Sequence, residues 1–478
     1  MLGSHNLRVV FAANLTYSPC VIRKVPPAQK TLLGEKCMDA TLTADERRVE
    51  KGKLLKVLGV GFGVAICIGG TIGVGILRSP GPVAELLSSP WMIMLVWTLG
   101  GVYALLNANY VAELASMVPR AGGMYAYAQR AYGGYGGFVV GWCDWLNNTL
   151  AVAFISVVFG EYASGLIAPN MYGGRIFFSL AVLLTMSVLN VIGVRTGSDT
   201  QKIFSALKAL ALIAFVVMCF VIGGQGGVAE QGQNDTGSIV STGLWPSVVA
   251  FILAFQLVLS TYDGWYAPIY FSEEDTDPTR HLPRSLFGGT LLIIAIYLLV
   301  NLAFLYVLPL SQFGGSKFAG ADALRVLLGE RGGQVVTILA LVSLIGIINA
   351  ILMMAPRILF ALGREGLFFH GATKVNRGGT PIVALILTAA CAVILTTIGT
   401  FELLLAVGQF FILVAMILIN VSLYVLRRRE PDTPRPFRTI GYPYVPLLML
   451  LFAVLLLIGY TVSNPFPSAC AIVVLIIS

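Results

Sequence analysis

Chemistry is expected first where ionisable or conformationally special residues interrupt apolar runs. The segment Ile68-Gly69-Gly70-Thr71-Ile72-Gly73-Val74-Gly75-Ile76 places four glycines within seven residues. Each costs about 1 kcal/mol relative to alanine inside a helix. Two readings follow. Small residues can serve close helix packing, or the helix opens and its bare N–H and C=O groups line a cavity, where such backbone is tolerated in a membrane. A second apolar run is interrupted at Ser260-Thr261-Tyr262-Asp263-Gly264-Trp265-Tyr266-Ala267-Pro268 by a carboxylate, a glycine and a proline. The matched interruption favours opened helices. The half-helix after the first break would present free N–H groups and a partial positive charge, which suit a carboxylate. The carbonyls before the breaks would suit an ammonium. Together they fit a zwitterionic α-amino acid.

Three further polar residues lie inside apolar runs. Lys208, in Phe204-Ser205-Ala206-Leu207-Lys208-Ala209-Leu210, either snorkels to an interface or does work inside the membrane. Asp144 lies four residues before Asn148, on one helical face. An intramembrane carboxylate is a functional candidate, and a hydrogen-bonded structural aspartate is the competing reading. Asp263 has three readings: pairing with a substrate ammonium, carrying a proton, or bonding N–H groups freed by the break. Glu113, Glu273 and Glu274 fall at span ends, where Arg120, Arg284 or Arg357 could form a gate network or all could be solvated loop charge.

These residues need elements to hold them. Of 478 residues, 57% are hydrophobic and only 11% charged, against about 25% charged in soluble domains. Mean hydropathy is +0.84. Lipid must be the main solvent, which excludes a soluble enzyme, a secreted disulfide scaffold and a disordered regulator. About 20 apolar residues cross a bilayer core. Twelve spans are predicted: 57–87, 91–114, 124–167, 176–194, 200–222, 245–271, 285–308, 334–362, 381–398, 402–426, 444–461 and 465–478. Span 3 is long enough that its first part is expected to tilt or lie along a membrane face. Residues 1–56 are predicted to be a flexible cytoplasmic tail, with an amphipathic stretch near 46–56. Spans fall into a first five-helix group (57–222), a second (245–426) and a closing pair (444–478). Interrupted spans 1 and 6 open the two groups, a pattern that points to inverted repeats around a central site.

With the N-terminus inside, the inner loops carry fifteen Lys and Arg and the outer loops four, so both termini are expected in the cytoplasm. This bias explains the net charge of +8 without nucleic acid. The seven cysteines show no metal-ligand spacing, so neither a metal nor a cofactor is expected.

At these residues the chain resembles the amino acid–polyamine–organocation superfamily. Gly69 to Gly75 is similar to its first-helix signature. Glu113-Leu114 through Pro119-Arg120-Ala121-Gly122-Gly123-Met124-Tyr125-Ala126-Tyr127 resembles its loop between helices 2 and 3. Ala355-Pro356-Arg357 through Gly363-Arg364-Glu365-Gly366-Leu367-Phe368, then Thr380-Pro381, resembles the loop after helix 8. Pro434-Arg435-Pro436-Phe437-Arg438 resembles the loop before helix 11. The resemblance implies an all-α polytopic LeuT-like 5+5 fold with about 12 helices and broken helices 1 and 6, working by alternating access in the cell membrane. It assigns the substrate carboxylate to the backbone of Gly73, Val74 and Gly75, and the amine to the backbone around Thr71 and Asp263. Asn148 (with Asn147 and Val152), Ser260, Tyr262, Gly264 and Asn349 are expected beside the pocket. It also implies that Lys208 replaces a sodium ion and ties helix 1 to helices 5 and 8. The chain departs from the pattern at Ser260, where relatives often carry an aromatic gate, and at Asp263, where they show glycine or an aliphatic residue. Segment 164–175 lacks the cysteine by which L-type exchangers join a glycoprotein, so no disulfide-linked heavy chain is expected.

The expected function is sodium-independent amino acid transport by proton symport or exchange. A polyamine or organic-cation carrier, which Asp263 would serve, is the alternative. A transporter-like amino acid sensor is the alternative from another class.

Overall fold

The computed structural model describes residues 54–87, 89–223, 244–316, 318–329 and 331–477. Among them the fold is helical, with two isolated β-bridges and no strand. Nine helices among the described residues are long and apolar enough to cross a membrane. Three shorter apolar helices, Val60–Thr71, Ile382–Ile398 and Pro465–Ile477, accompany them. Most of the tail expected over 1–56 lies outside the described residues. Its end does not: Leu54 is buried, and just beyond the tail Val57 and Leu58 donate backbone hydrogen bonds to the Glu274 carbonyl at 3.0 Å.

The first apolar run is three helices, α1 (Val60–Thr71), α2 (Gly75–Arg78) and α3 (Pro80–Leu87). Helix α1 stops because Ile72 turns extended, at φ −74° and ψ 105°. Helices α2 and α3 are nearly continuous through Ser79, which keeps helical angles. Next come α4 (Pro90–Met117), α5 (Met124–Tyr132) and α6 (Gly134–Ile167). The long third run is thus two helices, split at Gly133, whose φ of +83° a side chain would resist. Helices α7 (Gly174–Ile192) and α8 (Val194–Ile222) follow. Their outward faces carry Leu184, Val188, Ile203, Leu210 and Val221, all exposed and all apolar, as lipid contact requires.

Helix α9 (Leu244–Tyr262) gives way to a turn over residues 263–266 and a 3₁₀ segment, Ala267–Phe271. The remaining helices are α10 (Pro278–Val307), α11 (Leu310–Gly314), α12 (Ala319–Leu328), α13 (Arg331–Arg364), α14 (Ile382–Ile398), α15 (Phe401–Arg429), α16 (Tyr444–Ser463) and α17 (Pro465–Ile477). Short helices α11 and α12 fill the connection between spans 7 and 8, and α12 folds back on α13. Helix α1 lies at the centre, packed against α8, α10, α13 and the 3₁₀ segment, while α6 packs along α7, α13 and α15. The broken elements therefore sit inside the bundle, where opened backbone can be satisfied by protein.

Candidate functional site

The two breaks meet. Gly264 has φ +102°, and a β-carbon on it would lie 2.6 Å from the Gly70 carbonyl oxygen and 3.2 Å from the Thr71 nitrogen. Only glycine lets the two backbones approach this closely. Tyr297 of α10 bridges the helix ends: its hydroxyl lies 3.1 Å from the Thr71 carbonyl and 3.0 Å from the Thr261 carbonyl. The Cys67 thiol donates to the Trp265 carbonyl at 3.3 Å. On the far side of the first break the amides of Gly73, Val74, Gly75 and Ile76 make no hydrogen bond among the described residues, whereas Leu77, Arg78 and Ser79 donate back to Val74 and Gly75. Four successive N–H groups are thus free at the start of the α2–α3 run.

Lys208 of α8 is buried, and its ammonium donates to the carbonyls of Gly69 (3.0 Å), Ile72 (2.8 Å) and, from α13, Ser343 (3.2 Å). It does not snorkel. Its charge occupies carbonyls opened by the α1 break and joins α1, α8 and α13.

The other expected site residues divide. Val74, Gly75, Ser260, Asp263 and Gly264 are partly open or lie at the breaks. Ser260 and Asp263 border a cavity of about 520 Å³ between α4, α9, α15 and α16, together with Trp265, Gln409 and Tyr460. The cavity runs from Asp263 toward Glu402, Ser463 and Asn464 at one end of the bundle. Tyr262 is buried, donates to the Trp97 carbonyl at 3.2 Å and packs its ring on Tyr297 at 4.9 Å. Thr71 is 5% exposed, and its hydroxyl has no hydrogen-bond partner among the described residues. Asn148 spends its amide on Asp144, donating to the backbone oxygen at 2.8 Å and to Oδ1 at 2.9 Å. Asn349 faces α7 and α8: it accepts from Asn190 at 2.9 Å and donates to Gln201 at 2.8 Å. Hydrogen bonds link it to α1 through Gln201 and Ser205, which donates to the Ala65 carbonyl at 2.7 Å.

Ion pairs close the end of the bundle opposite Glu402. Arg357, buried in α13, grips Glu274 through two nitrogens, one bond being 2.8 Å, and lies over the Phe271 ring at 4.4 Å. Burial holds the Glu274 carboxyl above its ordinary value, and the Arg357 guanidinium offsets only part of that rise. Arg364 holds Glu273 at 2.8 Å, Arg427 holds Glu113 at 2.6 Å, and Arg130 holds Glu430 at 2.6 Å. The Arg130 guanidinium keeps the Glu430 carboxyl below the usual carboxylate range. Glu113, Glu273, Glu274 and Arg357 stand out in the sequence, but their pairing does not, and nothing local marks Tyr297, Trp97 or Arg427. A tyrosine in an apolar run carries no local signal that its hydroxyl caps two helix ends.

Among the described residues no cluster of His, Cys, Asp and Glu could hold a metal ion. The free N–H run, the opened carbonyls and the Asp263 carboxylate at the second break can bind a small zwitterion or cation.

Known proteins with similar sequences give an independent reading. The model of a family described as amino acid permease matches residues 60–478. The chain is 27% identical over 408 residues to the serine/threonine exchanger SteT of Bacillus subtilis (strain 168), covering 84% of this chain and 90% of that protein. It is 29% identical over 425 residues to the b(0,+)-type amino acid transporter 1 of Homo sapiens, covering 86% and 84%. It is also 29% identical over 437 residues to the Asc-type amino acid transporter 1 of Mus musculus, covering 89% and 80%. The relatives are transporters, not enzymes.

Proposed function

Since the chain belongs to the amino acid permease family, we propose that it is a secondary active transporter that moves amino acids across a cell membrane by alternating access. In this reading it needs no sodium, and a proton or a second substrate molecule supplies the counter-flux. Twelve spans form a LeuT-like 5+5 arrangement, with repeats over 57–222 and 245–426, a closing pair over 444–478, and both termini in the cytoplasm.

The observation that carries the reading is the run of free amides from Gly73 to Ile76, with Gly75 beside Thr261 at the end of α9 and Gly70 against Gly264 of the second break. The amides receive the substrate carboxylate. The carbonyls about Thr71 and Asp263 receive its ammonium. Lys208 fills the carbonyls that a sodium ion would otherwise need, so the broken helix keeps its shape without that ion. The cavity from Asp263 to the Glu402 end is then the outer vestibule, and the Arg357–Glu274 and Arg364–Glu273 pairs form the closed inner gate. Release inward requires those pairs to part while the vestibule collapses.

Uptake of labelled amino acids into proteoliposomes tests this directly. Accumulation driven by internal amino acid or by a pH gradient, unchanged when choline replaces sodium, is expected. Saturable binding with no uptake under either gradient would identify a sensor instead. Collapse of uptake in choline would remove the assigned role of Lys208.

A further inference from the structure

We infer that Asp263 binds the coupling proton of the transport cycle and is loaded from the Glu402 side through the cavity that ends on it. This deepens the transport reading above and rests on it. Of the two counter-fluxes left open there, it selects the proton.

The cavity between α4, α9, α15 and α16 begins at the exposed residues Glu402 and Ser463 and reaches Asp263. Much of its wall is apolar, but a polar line runs through it. Glu402 and Gln409 stand seven residues apart, about two turns, and both face the cavity from α15. Gln256 of α9 and Tyr460 of α16 face it from the other walls. The side-chain amides of Gln256 and Gln409 form no hydrogen bond with another described residue. Polar side chains at membrane depth are costly and mark ion and proton pathways. The line ends on a carboxylate, and no Lys, Arg or His borders the cavity.

Asp263 follows Tyr262, the last residue of α9, where the end of a helix carries partial negative charge. Among the described residues no Lys, Arg or His pairs with it. Its ionisable neighbours supply no cation: Tyr266 on the same turn, Tyr103 of α4, Asp144 of α6 and, along the cavity, Glu402 of α15 and Tyr460 of α16. The Cys67 thiol of α1 and the Tyr297 hydroxyl of α10 are bonded to backbone carbonyls. The ammonium of Lys208 from α8 is spent on three more. Buried charge is tolerated when paired, and in the reading above the substrate ammonium is received by backbone carbonyls. A proton neutralises the carboxylate without taking the substrate's place. It passes from water in the cavity to a carboxylate oxygen, and the neutral acid is carried with the substrate. When the Arg357–Glu274 and Arg364–Glu273 pairs part, the proton leaves to water on that side and the carboxylate is restored. Polar groups continue that way: Tyr266 reaches Asn147, Tyr270 donates to Asp144 at 2.7 Å, and Arg357 covers the next ring, Phe271.

The full chain in proteoliposomes, with a pH dye inside, should be given a labelled mixture of the twenty protein amino acids. With the membrane potential clamped, a gradient of one pH unit drives up to about tenfold accumulation of a solute that moves with one proton. Wild type is expected to approach that ratio and to acidify the lumen as label enters. Asp263→Asn, nearly isosteric but unable to ionise, should accumulate no more label with the gradient than without it and move no protons. Gln409→Leu interrupts the polar line without touching either break. It should keep the thermal stabilisation that the same mixture gives wild type, and slow gradient-driven uptake more than exchange against internal amino acid. If Asp263→Asn does not fold, Gln409→Leu and the wild-type proton flux decide by the same criteria. Wild-type exchange with no proton movement overturns the assignment and leaves amino acid transport standing. Gradient-driven accumulation that survives in Asp263→Asn overturns it by placing the proton elsewhere. A folded Asp263→Asn variant that no longer binds the mixture overturns it in favour of substrate binding by this carboxylate. Equal slowing of both modes in Gln409→Leu overturns loading through the cavity. Wild type that binds the mixture but transports in neither mode removes the transport reading and this inference together.

Discussion

At the scale of single residues, the site depends on groups that occupy opened backbone. Lys208→Ala leaves the Gly69, Ile72 and Ser343 carbonyls without their donor, and each buried unsatisfied group costs about 1–3 kcal/mol. The variant should lose most transport and unfold at lower temperature, although Lys208 touches the carbonyl side of the break and not the free amides. Transport at the wild-type rate would show that the ammonium is dispensable. Gly264→Ala forces a side chain into positive φ and against the Gly70 carbonyl. A loss of more than about 1 kcal/mol is expected, read as a fall in melting temperature with bound ligand absent. An unchanged melting temperature would mean that the two backbones are not locked at this crossing.

At the scale of elements, the break in the first run separates α1 from the α2–α3 helix and so creates a second N-terminus in mid-bundle. Gly75 is the position at which a side chain would obstruct that terminus: its β-carbon would sit 3.2 Å from the Thr261 side chain, a contact that can shift by a few tenths of an ångström. Gly75→Leu should insert and fold but fail to bind substrate, measured as the absence of ligand-induced thermal stabilisation. Normal uptake by this variant would move the carboxylate site away from residues 73–76. The element level also explains why a proline and a glycine suffice for the second break. Gly264 takes a positive φ through which a right-handed helix cannot continue, and Pro268 near the start of the 3₁₀ segment removes a donor the helix would need.

At the scale of the whole molecule, ion pairs hold one end shut. Removing one partner of the buried pair, as in Arg357→Ala, leaves Glu274 uncompensated and should destabilise this state by about 3–5 kcal/mol. The double variant Glu274→Gln with Arg357→Gln should recover part of that loss while leaving the end easier to open. Cysteine accessibility from that side would report the opening, and unaltered accessibility would argue against a gate. The Arg130–Glu430 pair is partly exposed and contributes about 0.2–1 kcal/mol. Its folded carboxyl is held low, so its contribution is complete above the unfolded carboxyl range near pH 4.3 and disappears as pH falls through the folded value. The stability difference between wild type and Glu430→Gln should therefore be present at pH 7 and shrink under acid. A difference that grows under acid would reverse the assigned sign.

Composition and period were enough to determine that this chain is a helical membrane protein, because lipid imposes long apolar runs and leaves charged residues only where protein can receive them. The positions of the two interruptions were legible for the same reason: glycine, aspartate and proline in a run of apolar residues oppose the local helix. Lys208 stood out as a lone charge in such a run. Pairing across the sequence was not legible. Tyr297 lies 226 residues from Thr71, Arg427 lies 314 from Glu113, and Asp144 lies 126 from Tyr270. No periodicity links residues that far apart. Asn148 and Asn349 look alike in sequence as polar residues in apolar spans, yet one supports Asp144 and the other joins α13 to α7 and α8. Which buried polar group faces a ligand and which is spent on a neighbour depends on helix rotation within the packed bundle. That rotation is set by side-chain fit between distant segments, and only the tertiary structure decides it.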